Sequence, residues 1–170
     1  SGSWSAVAER LQSSARRKFG MVAAAGANMY GYYPATGARI YNALVKPVSE
    51  YAADVWDPPT AAREKLETLH RWAARTVLGL PRHTPNAAVL GELGFAPVEA
   101  RHAELKLRRF HRLYKMDASS VVARVFRIRL QDWKENRRRR LGHPWMFAVQ
   151  EAADRVHLRH VLDNPDSALE

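Results

Sequence analysis

Apolar side chains recur every three or four positions along most of this chain, and no stretch of useful length alternates at the two-residue period of a strand. Over 4–25, Trp4, Val7, Ala8, Leu11, Ala15, Phe19 and Val22 fall on one stripe, and Gly26 and Asn28 close it. Residues 29–35 read as an aromatic turn. A second helix, with Thr36 as N-cap, is expected to bury Ile40, Tyr41, Leu44, Val45, Val48 and Val55, and Pro47 should kink or split it. Thr60 opens a third helix with Leu66, Leu69, Trp72, Ala73, Thr76 and Val77 inward, and Gly79 stops it. Thr84-Pro85 begins a short helix that ends near Gly91 or Gly94. Pro97 begins a longer one through Met116, with Val98, Leu105, Phe110 and Leu113 among its apolar members. Ser119 or Ser120 caps a sixth, which carries Val122, Val125, Phe126, Leu130 and Trp133, and a last helix covers roughly 145–161. The pattern predicts an all-α multi-helix bundle of about six to seven helices, one kinked at Pro47.

Charge changes this picture more than composition does. The 170 residues hold 27 Lys+Arg against 17 Asp+Glu, a net charge of +10. The sequence pI is near 10.4. Residues 101–140 alone carry 14 basic and 4 acidic side chains, whereas 141–170 carry 2 and 5. Clustered charge of one sign raises the local potential and points to a polyanion, of which nucleic acid is the default. The candidate contacts are Arg16, Arg17 and Lys18 on the first helix, then Arg108, Arg109 and Arg112, then Arg127, Arg129 and the run Arg137, Arg138, Arg139, Arg140. A guanidinium donates two parallel hydrogen bonds to phosphate oxygens, which fixes position and affinity but reads little sequence. The four-arginine run would serve equally as a nuclear localisation signal.

Other chemistry is thin. Without cysteine there is no disulfide scaffold, cysteine-ligated zinc or cysteine nucleophile. No window approaches the length of apolar sequence that spans a membrane. Tyr51-Ala52-Ala53-Asp54 resembles the tyrosine-x-aspartate-aspartate turn of reverse transcriptases, but one carboxylate does not assemble a two-metal site. His157 and His160 stand one turn apart without a third ligand of matching spacing, so no metal and no cofactor is expected. No catalytic constellation emerges. The tryptophans sit at core spacing, while Tyr30, Tyr32 and Tyr33 crowd a turn, where they either stack on bases or cover the end of the bundle. Ser1-Gly2-Ser3 has the look of a cloning scar, and the first Met is Met21, so the chain reads as a piece cut from something larger or as a processed product.

The stretch Ile40-Tyr41-Asn42-Ala43-Leu44-Val45-Lys46-Pro47-Val48-Ser49-Glu50-Tyr51-Ala52-Ala53-Asp54-Val55-Trp56 resembles a segment that follows the polymerase palm in non-LTR (LINE-type) retrotransposon reverse transcriptases. Lys65-Leu66-Glu67-Thr68-Leu69-His70-Arg71-Trp72-Ala73-Ala74-Arg75-Thr76-Val77-Leu78-Gly79-Leu80-Pro81 is similar to the helix that comes next, and Leu90-Gly91-Glu92-Leu93-Gly94-Phe95-Ala96-Pro97 also fits. The chain departs from the family at Ser49, His70 and Trp72. The likeness spans about residues 5–116 and implies a thumb-like helical bundle over 4–116; residues 117–170, which read as a basic helical extension with an acidic tail, lie outside it. It implies a domain that holds a template–primer duplex, with the palm and its metal-binding aspartates absent, so the chain is not expected to polymerise alone. The expected partner is RNA or an RNA–DNA hybrid gripped by its backbone, with the palm and fingers of a parent polymerase as neighbours and no membrane. The alternative is a structural or protein-interaction component of a ribonucleoprotein, such as an organellar ribosome, built from a captured thumb.

Overall fold

The structure, a computed structural model, describes residues 4–24, 33–56, 58, 60–136 and 143–165. The expected all-α architecture is what forms: the described residues contain helices and turns and no strand. In chain order the helices are α1 (Trp4–Val22), α2 (Pro34–Leu44), α3 (Lys46–Ser49), α4 (Thr60–Leu78), α5 (Asn86–Leu93), α6 (Val98–Tyr114), α7 (Val121–Glu135), α8 (Pro144–Arg155) and α9 (Arg159–Asp163). They sort into two compact units. One comprises Ser1–Ala52 with Pro58–Arg101; the other comprises Ala53–Asp57 with His102–Glu170.

In the first unit α1, α2, α3 and α4 pack on one another, and α5 packs against α4. Its core joins Ala15, Phe19 and Ala23 of the first segment to Tyr41, Val45, Leu69, Ala73 and Val77. Phe19 meets Tyr41 and Trp72 edge-on, with ring centroids 6.1 and 5.1 Å apart, and Tyr41 stacks on Phe95 at 4.9 Å. A large apolar side chain buried as Phe19 is contributes about 1.5–3 kcal/mol, whereas Trp72, expected inward, is 39% exposed. Gly37 is buried because α2 lies close to α4: a Cβ there would meet Val77 Cγ1 at 3.0 Å.

Pro47 interrupts the second helix, as the kink or split expected there. It lacks an N–H and its ring crowds the carbonyl four residues back, so α2 ends at Leu44 and α3 restarts after Val45 with Pro47 in its first turn. As a result Leu44 and Val55, expected inward, are exposed, while Tyr41 and Val45 are buried. Thr36 lies inside α2; Tyr33 is the N-cap and Pro34 takes the first helical position, where a missing N–H costs nothing. Pro85, not Thr84, precedes the first residue of α5. Gly79 and Gly94 adopt φ of 65° and 62° and end α4 and α5 as expected. Arg75 holds the loop after α4 by donating to the Thr84 carbonyl (2.9 Å) and to Asn86 Oδ1.

The second unit is built on Phe110, Leu113, Phe126, Leu130, Trp133, Met146, Val149, Ala153 and Leu162. Phe126 packs edge-on against Phe110 and Trp145, at 5.6 and 6.4 Å. Val122 and Val125, expected among the core members of α7, face solvent instead. His143, nearly buried ahead of α8, sits 2.9 Å from Asp132 Oδ2 on α7. The last helix, expected to be continuous, breaks after Arg155: His157 takes φ of 57°, and the Leu158 N–H closes back on the Ala153 carbonyl at 2.9 Å. No described helix is long and apolar enough to cross a membrane.

Candidate nucleic-acid interface

On α1 the buried positions Ala15 and Phe19 define an inner face, so Arg17 points away from it with Lys18 and Arg16 on either side. All three are exposed. Arg10 lies seven residues before Arg17, two turns away on the same outer face, and is also exposed. The sequence reading missed it, though that spacing was available. Arg16 lies over the Trp72 ring, with its guanidinium carbon 5.8 Å from the centroid, so it is partly engaged by an aromatic face.

In the second unit the arginines part company. Arg109 donates to Asp54 Oδ2 at 2.9 Å, and both side chains are about one-third exposed. Trp145 Nε1 donates to the backbone carbonyl of the same Asp54 at 2.8 Å. Arg109 therefore ties a turn to α6 and is spoken for. Arg108 pairs with Glu104 one turn back at 2.6 Å but remains largely in solvent, and Arg112 is exposed one turn further on. Arg127 donates to the Met116 carbonyl at 3.0 Å, bracing the start of α7, while Arg129 is exposed. Arg124, three residues before Arg127 and also exposed, was not singled out from sequence. Arg137, Arg138, Arg139 and Arg140 lie outside the described residues, as do Tyr30 and Tyr32; Tyr33 is exposed.

Among the described residues, Arg17, Lys18, Arg112, Arg124 and Arg129 have no carboxylate partner. Others in the basic stretch are committed: Arg101 forms a two-pronged bond to Glu50, with Nε–Oε1 2.9 Å and Nη2–Oε2 3.3 Å. Among the described residues, exposed cations without a carboxylate partner thus stand on α1 in one unit, together with Arg39 on α2 and Arg82 after α4, and on α6 and α7 in the other.

The polar groups buried in the first unit have a different purpose. Glu67 Oε2 accepts the Val98 N–H at 2.8 Å and Oε1 accepts Arg71 Nε at 3.2 Å. The Tyr41 hydroxyl bonds His70 Nδ1 at 2.5 Å. Burial pushes the Tyr41 pKa well up, helped by the nearby Glu50 and Glu67 carboxylates. Burial pulls the His70 pKa down, against the opposing pull of Glu67 and the Ala96 carbonyl. A shallow cleft of about 400 Å³ opens beside this region, lined by Arg63, Glu64, Glu67, Arg71, Leu90 and Glu99 among others. Two ion pairs cross its lining, Arg63 to Glu99 at 3.2 Å and Arg71 to Glu67 at 3.2 Å. No group of three or more potential metal ligands gathers among the described residues.

Set against protein-family models, curated proteins and solved structures, this chain matches none of them.

Proposed function

We propose that this chain is a non-catalytic nucleic-acid-binding helical domain, similar in role to a reverse-transcriptase thumb, that clamps the backbone of RNA or an RNA–DNA hybrid through exposed Arg and Lys. The observation that carries the reading is the outer strip of α1: Arg10, Arg17 and Lys18 stand in solvent on a helix whose other face is anchored by Ala15 and Phe19. A helix holds the cations' backbones at fixed two-turn spacing, and Arg's planar fork loses less order per hydrogen bond to phosphate than a flexible ammonium does. Arg108 and Arg112 on α6 offer the second unit's contribution. The likeness of residues 40–97 to the segment after the palm of LINE-type enzymes supports the same role.

The test is a fluorescence-anisotropy titration of a labelled RNA–DNA hybrid and of duplex RNA across a salt series. Each phosphate neutralised on a duplex steepens the plot of log affinity against log salt by about 0.9. The expected result is a slope of several units with little sequence preference. A response independent of salt overturns the reading.

A further inference from the structure

Helix α7 has two apolar faces. Ala123, Phe126, Leu130 and Trp133 point into the core. Val121, Val125 and Ile128 lie on the opposite side, and they are 70, 53 and 69% exposed. Their spacing of four and then three residues is the seam spacing of a coiled coil: Val125 takes an a position, and Val121 and Ile128 take d positions. Arg124 then falls at g and Arg129 at e, one on each side of the seam, and both are exposed without a carboxylate partner among the described residues. The seam ends where Asp132, at the next a position, turns to His143.

We infer that this outer face of α7 docks an amphipathic helix of a protein partner, one whose apolar seam is flanked by Glu or Asp at its own e and g positions. Three β-branched side chains in water on one stripe are costly for a surface helix unless something covers them. A sugar–phosphate backbone has no apolar face to offer these side chains, whereas a helix seam does. Charge selects the occupant. A second copy of this chain is disfavoured in both directions: parallel pairing sets Arg124 against Arg129 of the other copy, and antiparallel pairing sets Arg124 against itself. An acidic-flanked helix turns the same positions into ion pairs.

The experiment uses the full chain and two synthetic helices of about three heptads, with Leu at a and d and either Glu or Lys at e and g. The expected result is that the Glu peptide binds at least about tenfold more tightly than the Lys peptide. Val125→Ala with Ile128→Ala should remove about tenfold or more of that affinity, and since alanine favours an exposed helix the loss does not come from unfolding. Arg124→Glu with Arg129→Glu should invert the preference toward the Lys peptide. Equal binding of the two peptides, no binding of either, or a preference that survives the charge reversal overturns the inference. So does a dimer in sedimentation that the double alanine variant abolishes, because the occupant is then a second copy. An RNA oligonucleotide whose affinity depends on Val125 and Ile128 overturns it as well.

Discussion

The carboxylate of Glu67, on α4, receives the backbone N–H of Val98, the first residue of α6, at 2.8 Å. One residue thereby satisfies a donor that the helix itself cannot, and places negative charge at the positive end of the helix dipole. Its other oxygen holds Arg71. Glu67 is almost fully buried, so its removal leaves the Val98 N–H without a partner. Glu67→Ala should cost about 1–3 kcal/mol, and Glu67→Gln, which keeps an acceptor, less. Urea denaturation followed by circular dichroism measures both.

His70 makes stability depend on pH. Its folded pKa lies below the ordinary 6.5, chiefly because burial disfavours the charged ring. The unfolded chain therefore binds the proton more readily than the folded one. The contribution is complete above pH 6.5 and is lost as the pH falls through the folded value. Thermal unfolding midpoints should decline below that pH, and the decline should flatten in His70→Asn.

Arg109 and Arg17 should separate structure from binding. Arg109→Ala breaks the pair with Asp54 and should lower stability by up to about 1 kcal/mol, since the pair is partly in solvent, while leaving the salt slope of nucleic-acid binding unchanged. Arg17→Ala should do the reverse, reducing the slope by about one with the unfolding midpoint intact. Paired anisotropy and thermal-melt measurements on the two variants check this.

Two glycines should respond in opposite ways. Gly37→Val forces new methyl groups against Val77 and should destabilise by about 1–3 kcal/mol. Gly91, inside α5, has open space where a side chain would go, so Gly91→Ala should stabilise by up to about 1 kcal/mol. Denaturant midpoints distinguish them.

The sequence made the helices legible wherever one apolar stripe met clear punctuation. Gly79 and Gly94 end their helices by the left-handed conformation that glycine adopts without strain. Periodicity failed where two stripes share one helix: in α7, Val122 and Val125 are as apolar as Phe126, and only the packed structure tells the inner face from the outer. The break after Arg155 carries no glycine or proline, and His157 takes a positive φ that residue type alone does not announce. Exposure of the basic residues on α1 followed from the buried stripe beside them. The partner of Arg109 did not, because Asp54 is 55 residues away and is brought to it only by tertiary folding. The buried Tyr41–His70 and Glu67–Val98 contacts were invisible for the same reason.

The short segment Ala53–Asp57 belongs with residues that come much later in the chain, as the Asp54 contacts to Arg109 and Trp145 make plain. Neither half can therefore be excised as one uninterrupted stretch of gene. Trimming the protein just before His102 strands Asp54 and Trp56 without the neighbours they fold against, and a fragment that starts there lacks the loop that closes it. Anyone dissecting this molecule should graft those five residues or keep the chain whole.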